Sequence, residues 1–259
     1  MALFTITNVF SLLFGLILGS FLNVCIYRIP LKKSIVYPPS SCPQCGQKIR
    51  FYDNIPVISY LFLLGRCRNC KTPISLRYPV VEIITGLLST ALFLKYGLDY
   101  KYFIFLAFSA SLVIVSFVDL QHKIIPDIIS LPGIIIGLAF SIIFHHISWL
   151  ESVIGVLGGG GSLFLVAIVF EKLTGREGMG GGDVKLLAMI GAWMGWRALP
   201  LIILISSLTG TIIGGGSLLL ASRGLQTKIP FGPFLVLGAL IYLFFGDELV
   251  FWYSRILLR

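Results

Sequence analysis

Two aspartates stand at the edges of apolar segments, where a carboxylate is expensive and is a functional candidate by default. Asp119 ends one segment in VSFVDLQHKIIPD, and Asp183 opens another in GGGDVKLLAMIGAW. Two carboxylates about 3 Å apart cannot both ionise cheaply, so they share a proton. The charged member can then activate a water molecule while the neutral member donates a hydrogen bond to a carbonyl oxygen. Such a pair predicts aspartic-protease chemistry, which needs no serine, metal or cofactor.

The neighbours of the two aspartates leave other interpretations open. Glycines 180–182 lack Cβ atoms, so the backbone there can approach a substrate strand. Asp183 faces the positive end of a helix dipole, and we therefore expect it to hold the lower pKa of the pair. Before any resemblance is considered, the residues around Asp183 favour a structural role as a helix N-cap over catalysis. Asp127 is interpreted mainly as the N-cap of the apolar segment 128–145, which follows Asp119 in the chain. It is also the alternative to Asp119 for the first catalytic position.

A second group of chemically active residues lies in CPQCGQKI and CRNCKTPI. Two C-x-x-C pairs can bring four thiolates onto one tetrahedral Zn²⁺ ion, which closes the coordination shell and favours a structural role. Disulfide or redox chemistry is the alternative, and it is disfavoured on the reducing side of a membrane. The predicted metal ligands are Cys42, Cys45, Cys67 and Cys70. Cys25 is interpreted as a small packing residue.

Long apolar segments must position these groups. Of the 259 residues, 57% are hydrophobic and 12% are charged, whereas a soluble domain has about 25% charged residues. One membrane span needs roughly 20 apolar residues. We therefore predict an all-α polytopic membrane protein with about eight transmembrane helices and a small, zinc-ribbon-like cytoplasmic tetracysteine loop. The predicted spans are 7–27, 79–96, 102–118, 128–145, 151–170, 184–196, 200–221 and 231–252.

The distribution of charge predicts the topology. Loop 28–78 carries nine Lys and Arg residues against one acidic residue, Asp53. Positively charged loops stay in the cytoplasm, so we expect this loop and both aspartates at the cytoplasmic face. Topology thereby accounts for the net charge of +9, and we expect no nucleic-acid partner.

With these motifs in the order found here, the chain resembles the type IV prepilin peptidases, a family of bifunctional leader peptidases and N-methyltransferases. GLILGSFLNVCIYRIP resembles the N-terminal signature of the family, and the C-x-x-C pairs around NIPVISYLFLLGRC resemble its cysteine loop, which RYPVVEIITG follows. VDLQHKIIPD and GGGD resemble its two aspartate motifs. The resemblance covers most of the chain, and these four motifs carry it.

The resemblance implies a catalytic pair of Asp119 and Asp183. It favours Asp119 over Asp127 because the first catalytic aspartate of the family opens its motif. It also implies the reaction: a basic leader peptide is cut off after a glycine at the cytoplasmic edge of the apolar helix of a prepilin or pseudopilin. The new N-terminal amine is then methylated with S-adenosylmethionine.

The binding site for S-adenosylmethionine is implied by the resemblance alone, because the sequence shows no glycine-rich turn between a strand and a helix. The weak candidates are Asn23, Arg28, Arg77 and Glu82, with Gly19 and Tyr78 beside them. Glu82 lies about one turn into a predicted span, where a lone carboxylate is costly. It either binds an amine or pairs with Arg77 or Arg28, and the sequence leaves both open.

The resemblance divides the chain into a methyltransferase-associated region, 1–100, and a peptidase region, 101–259. It implies a multi-pass protein of the bacterial inner membrane whose partners are prepilin or pseudopilin substrates, the lipid bilayer, and pilus or secretion assembly machinery. One alternative is a GxGD membrane peptidase without methyltransferase activity, which the cysteine loop argues against. Another is a non-catalytic transporter or scaffold, which would favour ionisable residues near the bilayer midplane over residues at one face.

Overall fold

The computed structural model of the chain describes residues 2–175, 180–214 and 230–257, and within these residues the regular structure is helical, with no β-strand. The α-helices within these residues are α1 (Ala2–Arg28), α2 (Ile58–Phe62), α3 (Arg77–Tyr96), α4 (Tyr100–His122), α5 (Asp127–Phe144), α6 (Trp149–Thr174), α7 (Gly181–Met194), α8 (Leu199–Thr209) and α9 (Gly232–Leu257). The all-α membrane fold expected from the sequence is thus confirmed.

Eight membrane spans are not confirmed. Within the described residues, six segments are long and apolar enough to cross a bilayer: Ile6–Arg28, Arg77–Tyr96, Tyr100–His122, Asp127–Phe144, Trp149–Thr174 and Trp196–Ile213. The predicted span 184–196 corresponds to α7, whose 14 residues extend about 21 Å, less than the roughly 30 Å of a hydrocarbon core. The predicted span 231–252 corresponds to α9, whose apolar part is the shorter Gly232–Gly246. The end of the predicted span 200–221 lies outside the described residues.

The chain divides into two compact units, Met1–Ile114 and Val115–Arg259. In the first, α1 lies against α3 with almost no space between the backbones. A Cβ atom on Gly15 would come within 2.5 Å of Ser89 Cβ, and one on Gly19 within 2.7 Å of Glu82 Cα. Small residues four positions apart let two membrane helices approach in this way. The Ser89 hydroxyl donates to the carbonyl oxygen of Ser11 at 2.7 Å, which fixes the register of the pair.

In the second unit, α7 is the central helix. Its nine consecutive residues 186–194 are all buried, as expected of a helix that is apolar on every side. Helix α6 packs on it through glycines: a Cβ atom on Gly155 would lie 2.2 Å from the Gly191 carbonyl oxygen, and one on Gly159 would lie 2.5 Å from that of Leu187. The Ser152 hydroxyl donates to the Ala192 carbonyl oxygen at 2.6 Å. These contacts fix α7, which carries Asp183 in its first turn.

Two glycines of α6 offer a matched test of this packing. Gly155→Ala should lower the free energy of unfolding by about 1–3 kcal/mol, because the new methyl group overlaps the backbone of α7. Gly161 has nothing within 4 Å of its Cβ position, so Gly161→Ala should leave stability unchanged or raise it by up to about 1 kcal/mol through helix propensity. Unfolding in detergent micelles measures both. Equal stability of the two variants would contradict the close α6–α7 contact.

Candidate active site and cysteine cluster

Asp119 and Asp183 both belong to the second compact unit. Asp119 lies in the last turn of α4 and is 5% exposed. Asp183 is half-buried and is the third residue of α7, whose N-cap is Gly180. The interpretation of Asp183 as the N-cap is therefore wrong: the cap position belongs to a glycine, and no side chain caps this helix by a hydrogen bond.

The two carboxylates interact electrostatically. Burial first, and then the charge of Asp119, raise the pKa of Asp183 from its ordinary value of 3.8 to about 7. The helix dipole led us to expect a low pKa for Asp183, but its pKa is raised, because desolvation and the neighbouring charge disfavour the ionised form. When one carboxyl group has a pKa near neutrality and a carboxylate lies near it, the two groups together hold one proton at neutral pH.

Ile125 packs against two of the backbone segments that carry the pair. It belongs to the loop between α4 and α5, just after Asp119. A Cβ atom on Gly182 would lie 2.9 Å from Ile125 Cβ, and one on Gly232 would lie 3.3 Å from Ile125 Cδ1. The first turns of α7 and α9 therefore meet on this side chain. Backbone without Cβ atoms lies next to both aspartates, as expected for the glycines that precede Asp183.

Gly232, the first residue of α9, is a contact that sequence reasoning missed. Its N–H donates to Asp119 Oδ2 at 3.0 Å in a buried environment. The available signal was the segment PFGPF at residues 230–234. A glycine followed by proline at the start of an apolar helix marks a sharp entry of the chain into that helix.

Asp127 is not a helix N-cap. It is the first residue of α5, whose cap position is Pro126 and whose cap makes no side-chain hydrogen bond. The Asp127 carboxylate instead pairs with Lys185 Nζ at 2.7 Å, and the side chains are 57% and 40% exposed, respectively. The pair joins the first turns of α5 and α7. An exposed, ion-paired carboxylate lacks the desolvation that Asp183 has.

The four predicted metal ligands lie together in the first unit. The sulfur atoms of Cys42, Cys45, Cys67 and Cys70 are all within 4.8 Å of one another. All five cysteines of the chain are free, and Cys25 is buried, as its interpretation as a packing residue requires. The four thiols are close enough together to hold one metal ion. Two separate disulfide bonds would not require all four sulfur atoms to lie at one point.

The two C-x-x-C pairs share one backbone design. The Cys42 N–H donates to the Gln47 carbonyl oxygen at 2.9 Å, and the Cys67 N–H donates to that of Thr72 at 2.8 Å. Each turn then passes through a left-handed residue at the equivalent position, Gly46 with φ +69° and Lys71 with φ +58°. This repeat orients both cysteine pairs in the same way, toward one point.

Hydrogen bonds from the polypeptide favour the thiolate form of Cys70. The Thr72 hydroxyl, 3.2 Å from Cys70 Sγ, and the Thr72 backbone N–H lower the pKa of Cys70 from 9.0 to about 6. Thiolates are the form in which cysteine binds metals. A bidentate ion pair between Arg68 and Asp53, with Nε–Oδ2 at 2.9 Å and Nη2–Oδ1 at 2.6 Å, joins the second turn to the segment between the two turns.

The candidates for cofactor contacts divide into two groups, and Asn23 and Glu82 form the buried one. Asn23 Nδ2 donates to the Tyr78 carbonyl oxygen at 3.0 Å, and its Oδ1 is buried without a hydrogen-bond partner. Glu82, 7% exposed, accepts the Val57 N–H at 2.7 Å and a hydrogen bond from Ser20. Neither of these partners of Glu82 is an arginine. Gly19, also a candidate, brings the backbone of α1 against Glu82 Cα.

The two arginine candidates have other contacts. Arg28 donates to the carbonyl oxygens of Ser34 and Pro38 at 2.8 and 2.6 Å and so holds the start of the cysteine loop. The Arg77 guanidinium lies over the Tyr78 ring, 4.7 Å from its centroid.

Val57 is held in a strained conformation next to this group. Its φ of 60° and ψ of −47°, with the Ile58 N–H donating to the Pro56 carbonyl oxygen at 2.6 Å, describe a rare γ-turn. Strain of this kind persists only where surrounding contacts over-determine it, and it concentrates at functional sites. Here the turn aims the Val57 N–H at Glu82.

Comparison with known proteins gives the family. The model of the bacterial peptidase A24 N-terminal domain matches residues 13–96, and that of the type IV leader peptidase family matches residues 106–215. A protein of Aeromonas hydrophila is 40% identical over 93% of this chain and 91% of its own length. A protein of Pseudomonas aeruginosa is 39% identical over 92% of this chain and 90% of its own length. A protein of Burkholderia pseudomallei is 35% identical over 92% of this chain and 85% of its own length. Each is named prepilin leader peptidase/N-methyltransferase. No solved structure matches the chain. The chain belongs to the type IV leader peptidase family.

Proposed function

We propose that this chain is a membrane-embedded aspartic endopeptidase that removes the leader peptide of prepilins or pseudopilins and then methylates the new N-terminus. The observation that carries the peptidase activity is the interaction of two carboxyl groups, buried Asp119 and half-buried Asp183. Membership of the family and the names of the relatives support both activities. They do not favour a peptidase without methyl transfer, or a transporter or scaffold.

The peptidase reaction uses the single proton of the pair. The charged carboxylate takes a proton from water, and the resulting hydroxide adds to the carbonyl carbon of the scissile peptide. The neutral carboxyl group gives its proton to the carbonyl oxygen. When the tetrahedral intermediate collapses, the C–N bond breaks and the leaving amine takes the first proton, while the second returns to the pair. Each cycle consumes one water molecule and restores one proton between the two aspartates.

The proposed site lies at the cytoplasmic face of the bacterial inner membrane. The basic loop that follows α1 supports this orientation under the positive-inside rule. Asp119 is in the last turn of α4 and Asp183 in the first turn of α7, so each stands at a helix end. A substrate helix in the bilayer would present its leader junction at such a level, which fits a prepilin or pseudopilin.

For methyl transfer, we propose that Asn23 and Glu82 contact S-adenosylmethionine or the amine that it methylates. The unpartnered, buried Asn23 Oδ1 is an acceptor that suits an N–H group, and the Glu82 carboxylate suits a cationic group. The cofactor supplies an electrophilic methyl group. Arg28 and Arg77 stay weaker candidates, since the first holds the loop and the second stacks on Tyr78. The functional division proposed is 1–100 for methyl transfer and 101–259 for cleavage.

For the cysteine cluster, we propose one structural Zn²⁺ ion. Four sulfur ligands complete a tetrahedral shell and leave no position for a reacting water molecule. The cluster closes a loop that contains Val57, the hydrogen-bond partner of Glu82. Zinc would therefore order the cytoplasmic segment next to the proposed methyl-transfer residues.

Replacing either aspartate should separate the two activities. Asp119→Asn and Asp183→Asn should each lower the rate of prepilin cleavage by roughly 10³-fold or more. When two residues act as one catalytic unit, replacing either one removes most of the activity of the pair. Asp127→Asn, which removes only the exposed ion pair with Lys185, should keep substantial cleavage. Mass spectrometry of a prepilin with a Gly–Phe junction reads the cut and the methyl group in one experiment.

A peptide that already begins with the mature Phe is the control for folding, because all three variants should still methylate it. Wild-type cleavage by either catalytic variant would contradict the proposal. Complete loss of cleavage in Asp127→Asn would promote Asp127 over Asp119.

The pH dependences of the two activities should oppose each other. A pKa of about 7 for Asp183 means that the pair loses its last proton as pH rises through neutrality. Cleavage should therefore fall by about tenfold per pH unit above 7. Methylation of a pre-cut peptide should rise over the same range, because an α-amino group with a pKa of about 8 must be deprotonated to attack. A cleavage rate that stays constant to pH 9 would contradict the one-proton pair.

Removal of two cysteines should remove the metal. Cys42→Ser with Cys67→Ser takes one thiolate from each turn, so purified protein should lose its single zinc ion by elemental analysis. Cys25→Ala, which changes a buried cysteine outside the cluster, should keep one zinc ion per chain. Full occupancy in the double variant would refute the zinc proposal.

A further inference from the structure

Asp119 is held by a backbone group from a distant part of the chain. The Gly232 N–H donates to Asp119 Oδ2 at 3.0 Å, and the bond is buried. Gly232 is the first residue of α9, so its N–H belongs to the first turn, whose donors have no partner inside the helix. The Asp119 carboxylate supplies that missing acceptor.

The space around this bond leaves no room for a Cβ atom at position 232 unless a neighbouring group moves. A Cβ atom at position 232 would lie 2.6 Å from Asp119 Oδ2, 3.3 Å from Asp119 Cγ and 3.3 Å from Ile125 Cδ1. Contacts below 3.0 Å between such atoms force a shift, and Asp119 is confined in the last turn of a packed helix. A side chain at position 232 would therefore displace either the carboxylate or the start of α9.

The bond also distinguishes the two carboxylates chemically. A hydrogen bond from an N–H group stabilises a carboxylate more than a carboxylic acid, and the positive end of α9 acts in the same direction. The bond engages Oδ2 of Asp119 as a hydrogen-bond acceptor. Asp119 is thus oriented as an acceptor.

We propose that Gly232 is a positioning residue of the peptidase site, whose N–H fixes Asp119 as the charged general base and leaves Asp183 as the proton donor. Asp119 then takes the proton from the attacking water, and Asp183 gives its proton to the carbonyl oxygen. On collapse of the tetrahedral intermediate, Asp119 passes its proton to the leaving amine and Asp183 recovers one from the intermediate. This assignment rests on the proposed peptidase function.

The test compares Gly232→Ala with Gly238→Ala in the same helix. A Cβ atom on Gly238 would meet Ser206 Oγ at 2.8 Å and the Ile202 carbonyl oxygen at 2.9 Å, so both variants overpack α9, but only the first disturbs Asp119. Gly232→Ala should lower kcat for prepilin cleavage by at least 100-fold with KM within about threefold of wild type. Gly238→Ala should keep kcat within about threefold. Both should methylate a pre-cut peptide at the wild-type rate.

Equal kcat values for Gly232→Ala and wild type would overturn the inference while leaving the peptidase proposal intact, provided that Asp119→Asn is inactive. An equal loss in Gly238→Ala would also overturn it, since the effect would then come from packing of α9 alone. A wild type that does not cut prepilin would instead refute the function on which the inference rests.

A second measurement does not depend on the folding of Gly232→Ala. Asp119→Asn keeps an acceptor for the Gly232 N–H, whereas the similarly sized Asp119→Leu leaves that donor buried without one. The unfolding temperature of Asp119→Leu in detergent should therefore lie several degrees below that of Asp119→Asn. Equal unfolding temperatures would overturn the proposed hydrogen bond.

Discussion

The repulsion between two carboxyl groups in low-dielectric surroundings is the constraint on which the site depends. Desolvation and the charge of Asp119 both act to keep a proton on Asp183, whose pKa reaches about 7. Such a pair separates or reorganises unless its backbone is fixed. The fold meets this requirement through the hydrogen bond from Gly232 to Asp119 and the apolar contact of Ile125 with the first turns of α7 and α9.

Rigidity at the pair comes from glycine contacts elsewhere in the same unit. Helix α7 carries Asp183 in its first turn and is buried over residues 186–194. Gly155 and Gly159 let α6 approach it so closely that carbonyl oxygens occupy the space of missing methyl groups. Contacts of this kind have few alternative registers, since a shift of one residue would bring Ile154 or Val156 into the place of Gly155. The position of Asp183 therefore depends on packing between α6 and α7, which involves residues distant from the aspartate in the sequence.

The sequence was informative where chemistry requires particular residue types. It predicted the apolar helices, the proximity of the four cysteines, and aspartates at the ends of α4 and α7. It was wrong about the helix caps. The N-cap residues of α7 and α5 are Gly180 and Pro126, and the exact residue at which a helix begins depends on backbone conformation that the residue types do not specify. Gly232 was missed because it contacts Asp119 through its backbone N–H, and the sequence gives no side chain from which a contact across 113 residues could be predicted. The raised pKa of Asp183 comes from desolvation and from the charge of Asp119, which an argument from the helix dipole does not contain.

The central claim is that Asp119 and Asp183 hold a single proton between them near neutral pH. Infrared difference spectroscopy of the purified protein, between pH 5.5 and pH 8.5, detects a protonated carboxyl group by its C=O stretch. The account predicts such a band that disappears as pH rises through about 7 and that is absent from Asp183→Asn. A spectrum unchanged across this range, or a band that persists in Asp183→Asn, would contradict it.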